Sequence, residues 1–363
     1  MSTSVAVPVP ETLDTAQSPE WLTAALQRRF PGIKILGVTP GPVVSRVSTN
    51  ARFTIEYSGT TSPGPSRSLC VKGYFNEIGQ AARYIGESET YFYRDLADAV
   101  GVRTLTCLYA EVDPVTRHGV VITEDLVAEG GEFLDASSAY TPEQTASTLG
   151  DMARLHAATW NNPDWADQPW LASRIGKTLT LWGDDGVMSR IGANMFGANA
   201  SGVSQEIRDP KRIVDAYRNV VTHSKAAVAD RTLPWCVIHG DSHPGNLFLD
   251  PAGRPSLFDW QLVQRGMWYL DVGYHIAATL SVEDRRRSED ELLRHYLQSL
   301  ADLGVEPPPF ETARRALGLG IVHGLYLWSI TAEVEPRLIE ILLHRLGTAA
   351  ADHEALTQAL ALH

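Results

Sequence analysis

The run Val237-Ile238-His239-Gly240-Asp241-Ser242-His243-Pro244-Gly245-Asn246-Leu247-Phe248-Leu249-Asp250, followed by Leu257-Phe258-Asp259-Trp260-Gln261, decides how the rest of the chain is read. Two short apolar stretches flank a polar loop, and a third apolar stretch ends on an aspartate. Their length and composition suit strands. Pro244 and Gly245 mark a turn, since proline pre-sets its backbone and glycine adopts angles other residues resist. The loop offers Asp241 and Asn246 at an Asp-x-x-x-x-Asn spacing, and Asp259 stands at the next strand end.

Phosphoryl transfer from ATP needs one group to orient the attacking hydroxyl and oxygen ligands to hold magnesium against the phosphates. Asp241 suits the first task. Asn246 and Asp259 suit the second, because magnesium prefers hard oxygen ligands. Upstream, Leu69-Cys70-Val71-Lys72-Gly73-Tyr74 is an apolar strand carrying one cation, Lys72. The helix that follows offers Glu87 and Glu89, either of which could hold that ammonium toward a nucleotide.

The motifs His239-Gly240-Asp241-x-His243-x-Gly245-Asn246 and Asp259-Trp260-Gln261 resemble those of the kinase-like small-molecule phosphotransferases, the group of aminoglycoside phosphotransferases, choline kinases and ecdysteroid-kinase-like proteins. The resemblance implies that Asp241 is the catalytic base, that Asn246 and Asp259 are magnesium ligands, and that Lys72 meets the nucleotide phosphates. Glu89-Thr90-Tyr91-Phe92-Tyr93 resembles the Glu-x-x-Phe-Tyr of the ecdysteroid-kinase-like branch, which favours Glu89 over Glu87 as the lysine's partner. By the same analogy, Val120-Val121-Ile122-Thr123-Glu124-Asp125-Leu126 looks like a hinge that bonds adenine through the backbone of Glu124 and Leu126. The turn Ser45-Arg46-Val47-Ser48-Thr49-Asn50 lacks a glycine-rich pattern, so Ser48 and Asn50 would cradle phosphate instead. His239 would be a scaffold residue bonded to nearby backbone, His243 would face the substrate or brace the loop, and Asp271 would brace the catalytic loop from the next helix. His156, in Leu155-His156, reads as packing.

Composition narrows the class. With 363 residues, 44% hydrophobic and 20% charged, the chain can bury ordinary cores in two units without staples. A formal net charge of −12, with no basic run, argues against a nucleic-acid partner. Cys70, Cys107 and Cys236 have no metal-ligand spacing and read as buried reduced thiols. The N-terminus has no secretory pattern, and the weakly polar stretch from Ala316 to Ala332 is too short and interrupted to span a bilayer. The expectation is a cytoplasmic protein without a membrane partner.

Residues 1–17 read as a flexible leader. Residues 18–125 read as a nucleotide-binding half with strands at Ile33–Val38, Val43–Val47, Arg52–Tyr57, Ser68–Tyr74, Leu105–Val112 and Gly119–Thr123, interrupted by one helix between Ile78 and Val100. The Gly/Pro/Ser-rich stretch 58–66 reads as a loop. Residues 126–363 read as mainly helical, with the catalytic loop, metal site and substrate pocket. Helices are expected at Pro142–Trp160, Gln205–Ala229, Tyr269–Leu280, Glu289–Leu303, Glu311–Thr331 and Glu335–Leu362. The element pattern gives α+β, an N-terminal sheet with one helix followed by a helical half; the resemblance implies the two-lobed protein-kinase-like fold, with an N-terminal antiparallel sheet plus one helix and a larger helical C-terminal lobe.

The function implied is transfer of the γ-phosphoryl group of ATP, with Mg2+, to a small-molecule alcohol. Aminoglycosides, choline-like amines, sterol-like alcohols and sugars are all open as acceptors. No Asp-Phe-Gly appears, and too few residues follow Asp259 for an activation segment, which disfavours a protein kinase. An inactive nucleotide-binding module would lack a base or a metal ligand, yet those residues are present. Aromatics at Trp182, Trp268-Tyr269 and Tyr326 to Trp328 are candidates for a substrate pocket.

Overall fold

The computed structural model describes residues 7–59, 63–231 and 233–362. The chain divides into two compact units. One takes residues 7–132 with Asp250–Ala252 and Asp259–Gln261; the other takes Phe133–Leu249, Gly253–Phe258 and residues 262–362.

The first unit is built on a five-stranded antiparallel sheet of β1 (Lys34–Ser45), β2 (Thr49–Ser58), β3 (Ser68–Gly73), β4 (Cys107–Val112) and β5 (Gly119–Glu124), in the order β1-β2-β3-β5-β4. The alternation of buried and exposed residues along β2 and β3 is what a half-covered sheet produces. Phe53, Ile55, Leu69, Val71, Val120 and Ile122 form one core with the helix Pro19–Leu26. That helix starts as its sequence dictates: the Ser18 hydroxyl accepts from the Trp21 N–H, and Pro19 takes the first turn. The strands expected at Ile33–Val38 and Val43–Val47 are one strand, with irregular register at Ile35/Gly37 and Pro40/Val43.

Two expectations need correction here. The leader reading fails from Val7 onward: Leu13–Ala16 is helical, and Val9 and Ala16 are buried in the sheet's core, because a few apolar side chains suffice to dock a short segment. Residues 1–6 of that reading, and residues 60–62 of the loop at 58–66, lie outside the described residues. The single helix expected between Ile78 and Val100 is a succession: α-helix at Glu77–Ala81, a 3₁₀ turn at Arg83–Ile85, α-helix at Glu87–Tyr91, a π-turn at Phe92–Leu96 and α-helix at Ala97–Val100. The π-turn inserts an extra residue per turn where Phe92 stacks on Trp260, ring centroids 3.8 Å apart.

The second unit is mainly helical, with short strands at Cys236–Ile238, Leu247–Leu249, Pro255–Leu257 and Gln264–Gly266. Its helices Pro142–Thr159, Pro210–Asp230, Trp268–Thr279, Val282–Asp302 and Phe310–Ser329 follow the apolar periodicity of the sequence. A capping box between Thr141 and Gln144 opens the first of these. The helix Lys177–Met195 has no sequence forecast, because Gly183 breaks it with φ 65° and it carries no apolar stripe. The expected last helix is two, Pro336–Asp352 and Ala355–Leu360, separated at Glu354 with φ 48°. Among the described residues no helix is long and apolar enough to cross a membrane. No cysteine is paired; Cys236 is buried, whereas Cys70 and Cys107 are only partly so, because their strands leave one face incompletely covered.

Candidate functional site

In the first unit, antiparallel pairing puts Asn50 and Val121 directly opposite Lys72. The Lys72 ammonium lies 2.7 Å from Glu89 Oε2 and 2.9 Å from Asp259 Oδ1, with side-chain exposures of 17%, 5% and 33%. Burial opposes the charge on Lys72, but Asp259 and Glu89 more than compensate and hold its pKa well above the ordinary lysine value. Burial, in turn, pushes the Glu89 carboxyl up, against the pull of Lys72 and a backbone hydrogen bond from Trp260. Glu87 is elsewhere, paired with Arg117. Asp259 is a non-glycine residue with φ 60°, a left-handed conformation that costs about 1–2 kcal/mol and turns the chain out of strand Pro255–Leu257.

Ser48 and Asn50 sit at the β1–β2 turn, where the Asn50 amide lies 3.4 Å from the Ser48 hydroxyl. Asn76 ties that turn down by donating to the Ser45 hydroxyl and the Arg46 carbonyl. Ser48 and Asn50 are half-buried. At the end of β5 the Glu124 side chain accepts from the Ser66 N–H and its backbone N–H donates to the Thr106 carbonyl. The Leu126 carbonyl accepts from the Gly131 N–H, while the Leu126 N–H has no partner among the described residues.

In the second unit, the loop after strand Cys236–Ile238 is held by a buried frame. Asp271 is fully buried in the helix Trp268–Thr279, and its carboxylate accepts the backbone N–H groups of His239 at 2.7 Å and Gly240 at 2.8 Å. Burial alone would raise its pKa, but His156, 3.4 Å away, then His239 and the Gly240 N–H hold it below the ordinary carboxylate value. The His239 ring bonds backbone on both sides, accepting from the Asp241 N–H at Nδ1 and donating to the Phe258 carbonyl through Nε2. His323 donates to the Gly240 carbonyl, His275 to the Ser242 carbonyl, and the Ser242 hydroxyl to the Asp271 carbonyl. Gly240 has φ 82°, and a Cβ there would meet the Leu262 carbonyl oxygen at 2.6 Å, so only glycine fits.

This frame presents Asp241. Its Oδ2 accepts from the Asn246 amide at 3.2 Å and lies 3.6 Å from His243 Nε2; its Oδ1 accepts from the Tyr274 hydroxyl at 3.2 Å. Burial raises the Asp241 pKa, but the His243 ring, then His239 and His323, outweigh it, and the carboxyl stays below its ordinary value. His243 Nδ1 accepts from the Gly245 N–H, which leaves Nε2 to carry the ring proton toward Asp241. Asn246 spends its amide hydrogens on the Asp241 carbonyl and carboxylate. Its Oδ1 therefore has no partner among the described residues, and neither does Asp259 Oδ2.

The profile of the ecdysteroid kinase-like family matches residues 92–304, more than half of the chain. The chain belongs to the ecdysteroid kinase-like family. No individually curated protein matches it. Among solved structures, this family member resembles a Ralstonia eutropha JMP134 protein assigned to the aminoglycoside phosphotransferases, with a TM-score of 0.52, 13% identity, and coverage of 94% of this chain and 98% of the other. Choline kinase LicA from Streptococcus pneumoniae follows at a TM-score of 0.47 and 14% identity, covering 87% and 94% of the two chains. The aminoglycoside phosphotransferase APH(3'')-Id from Streptomyces rimosus ATCC10970 matches at 0.42 and 15%, covering 84% and 97%. At 13% identity the first of these speaks for the fold alone.

Three residues around the loop of this ecdysteroid kinase-like protein have no forecast from sequence, His275, His323 and Tyr274, and His156, expected only to pack, also lies 3.4 Å from Asp271. Each falls on the buried face of its helix among apolar neighbours, a pattern that reads as core. Of the aromatics considered for a pocket, Trp328 reaches the surroundings of Asp241, 5.0 Å from the His243 ring. Tyr326 instead stacks on Tyr217 at 3.6 Å in the core, whereas Trp268, stacked on Tyr296 at 5.4 Å, lines a separate cavity with Tyr269, Trp160 and Met267. Trp182 is covered by Arg190.

Proposed function

We propose that this protein transfers the γ-phosphoryl group of ATP to a hydroxyl of a small molecule. The observation that carries the reading is the Lys72 ammonium held between Glu89 and Asp259, three residues that come from a strand, a helix and a distant strand end. An ammonium fixed in this way is a ready-made partner for phosphate oxygens, and Asp259 keeps its second oxygen free. In the proposed assignment Lys72, Ser48 and Asn50 bind phosphates, and the backbone of Glu124 and Leu126 binds adenine. Asp241 orients the acceptor hydroxyl and takes its proton as the bond to phosphorus forms.

Magnesium fits the donor set. Among the described residues no group of three His, Cys, Asp or Glu could hold a metal; each taken within its own unit, Asn246 Oδ1 and Asp259 Oδ2 are unpartnered hard oxygens of the kind magnesium prefers. A cation that keeps waters and phosphate oxygens as most of its ligands needs no more than that. When bound there it would neutralise the charge of the phosphates. Asp241, Asn246 and their frame keep the hydroxyl aligned, so catalysis rests on positioning and electrostatics. The nucleotide half is assigned to residues 18–125 and the catalytic half to 126–363.

A protein substrate is disfavoured by one observation: the helix Trp268–Thr279 begins directly after the strand Gln264–Gly266, which leaves no activation segment. The test is a panel of aminoglycosides, amino alcohols, sterols and sugars with MgATP, read as ATP consumption and acceptor mass, beside a peptide library. The expected result is phosphorylation of a small alcohol that disappears in Asp241→Asn while nucleotide binding persists. Phosphopeptides, or full turnover in Asp241→Asn, would refute the reading.

A further inference from the structure

We propose that Tyr274 and Trp328 form a one-way hydrogen-bond relay that positions the Asp241 carboxylate, making Tyr274 a positioning residue for the phosphotransfer reaction. The inference rests on the phosphotransferase reading for its kinetic consequence, but the relay itself is read from geometry within one unit.

Tyr274 is fully buried in the helix Trp268–Thr279, and Trp328 is nearly so in the helix Phe310–Ser329. Trp328 Nε1 lies 2.7 Å from the Tyr274 hydroxyl oxygen, which lies 3.2 Å from Asp241 Oδ1. The direction follows from chemistry. An indole nitrogen can only donate, so the phenol oxygen accepts from it; the phenol has one proton, and the carboxylate is the acceptor in reach. Burial, and then the Asp241 charge, keep the phenol protonated by raising its pKa well above the ordinary value. Asp241 is thereby pinned on both oxygens, by Tyr274 on Oδ1 and by Asn246 on Oδ2. A carboxylate so held cannot swing about its χ2, and the lone pairs left open point in fixed directions.

The seat of the ring is itself built. A Cβ at Gly324 would meet Tyr274 Cδ2 at 2.3 Å, so the facing helix gives up a side chain to admit the phenol. The His323 ring stands edge-on at 5.9 Å, and Trp328 packs edge-on against His243, the other ring beside Asp241. A tyrosine serving only as core filler would need none of this aim at a charged oxygen.

The test compares wild type, Tyr274→Phe, Trp328→Phe and the double variant for turnover of MgATP with the acceptor found in the alcohol panel. If the panel returns no acceptor, slow hydrolysis of MgATP is used. Melting curves and the indole N–H resonances of 15N-labelled protein complete the set. Expected are a kcat for Tyr274→Phe lowered about tenfold, as for loss of one charge-assisted hydrogen bond, with the KM for ATP unchanged. Trp328→Phe lowers kcat less, and adds nothing in the Tyr274→Phe background. The Trp328 indole resonance moves in Tyr274→Phe and also in Asp241→Asn, since the carboxylate polarises the phenol. Wild-type kcat in Tyr274→Phe beside a dead Asp241→Asn overturns the proposal, as do independent effects of the two single variants. If Asp241→Asn stays active the phosphotransfer reading falls, and the indole resonance still decides the relay: a Trp328 signal unmoved by both substitutions overturns it. Should Tyr274→Phe fail to fold, Trp328→Phe with normal kcat and an unmoved melting curve overturns it equally.

Discussion

The Lys72 ammonium and the Glu89 carboxylate are 2.7 Å apart and largely out of water, and a second carboxylate, Asp259, shares the same nitrogen. The arrangement is asymmetric. Removing Glu89 leaves the lysine with Asp259, whereas removing Lys72 leaves two carboxylates facing each other.

Lys72→Met is therefore expected to destabilise the protein by about 3 kcal/mol, and Glu89→Gln, which keeps volume and one oxygen, by about 1 kcal/mol. Urea unfolding of the two variants checks the order. Both should lose turnover, with Lys72→Met the more severe; equal stability of the two would contradict the three-body account.

Asp271→Asn replaces an acceptor with a donor opposite the His239 or Gly240 N–H. The expected loss is about 3 kcal/mol, since a charge-assisted bond disappears and a buried N–H loses its partner. The folded pKa of Asp271 is depressed. Its stabilisation is thus full above the unfolded value of about 3.9 and fades as pH falls through the lower folded value. The variant should unfold at lower urea than wild type at pH 7, with the gap narrowing only in strong acid.

Asn246→Ala removes the free amide oxygen together with two donors to Asp241. A rise of about tenfold or more in the magnesium concentration giving half-maximal turnover is expected, and chelation of magnesium should abolish activity in wild type. An unchanged magnesium curve would remove Asn246 from the ligand set.

His118 is buried, with Nε2 accepting from the Tyr74 N–H at 2.9 Å and Nδ1 unpartnered. Burial, then Arg83, push its pKa from 6.5 down to about 4, against weaker pulls from Glu11 and Asp113. Between those values the unfolded chain takes up a proton that the folded chain refuses, so stability falls as pH drops from 6.5 toward 4. The loss attributable to His118 is about 2 kcal/mol by pH 5. His118→Gln should reduce the difference between unfolding at pH 7 and pH 5, leaving the slope from His275, which burial shifts to about 4, and from His323, which burial lowers in the same direction.

Gly320 faces the backbone of Tyr269, where a Cβ would meet the carbonyl oxygen at 1.9 Å. Gly320→Ala must push apart the helices Phe310–Ser329 and Trp268–Thr279, the second of which carries Asp271 and Tyr274. A loss of about 3 kcal/mol is expected, read as a lower melting temperature.

Much of the fold and of the candidate site is legible in one dimension. The five-stranded sheet shows as apolar alternation, and the helices from Pro142 onward as 3.6-residue periodicity. The motif at 239–246 is local, because turn chemistry at Pro244 and Gly245 brings Asn246 back onto Asp241. The misreadings share a cause too. Leu13–Ala16 and the π-turn at Phe92–Leu96 are held by what they pack against, Trp260 in the second case; the Thr12 cap marks the first locally but is too weak a signal to predict a four-residue helix.

From the sequence alone came the class of fold, the loop that presents Asp241, and the residue types that phosphoryl transfer requires, all of which depend on near neighbours. Tertiary structure seated Glu89, the partner its sequence already favoured, on Lys72, left an oxygen of Asn246 open, and turned His156, His275, His323 and Tyr274 from apparent core, and Trp328 from a pocket candidate, into the frame around one carboxylate. The physical reason is that hydrogen bonds and ion pairs act over about 3 Å of space. A polar residue on the buried face of a helix declares its purpose only when the partner, often far along the chain, is brought to that distance.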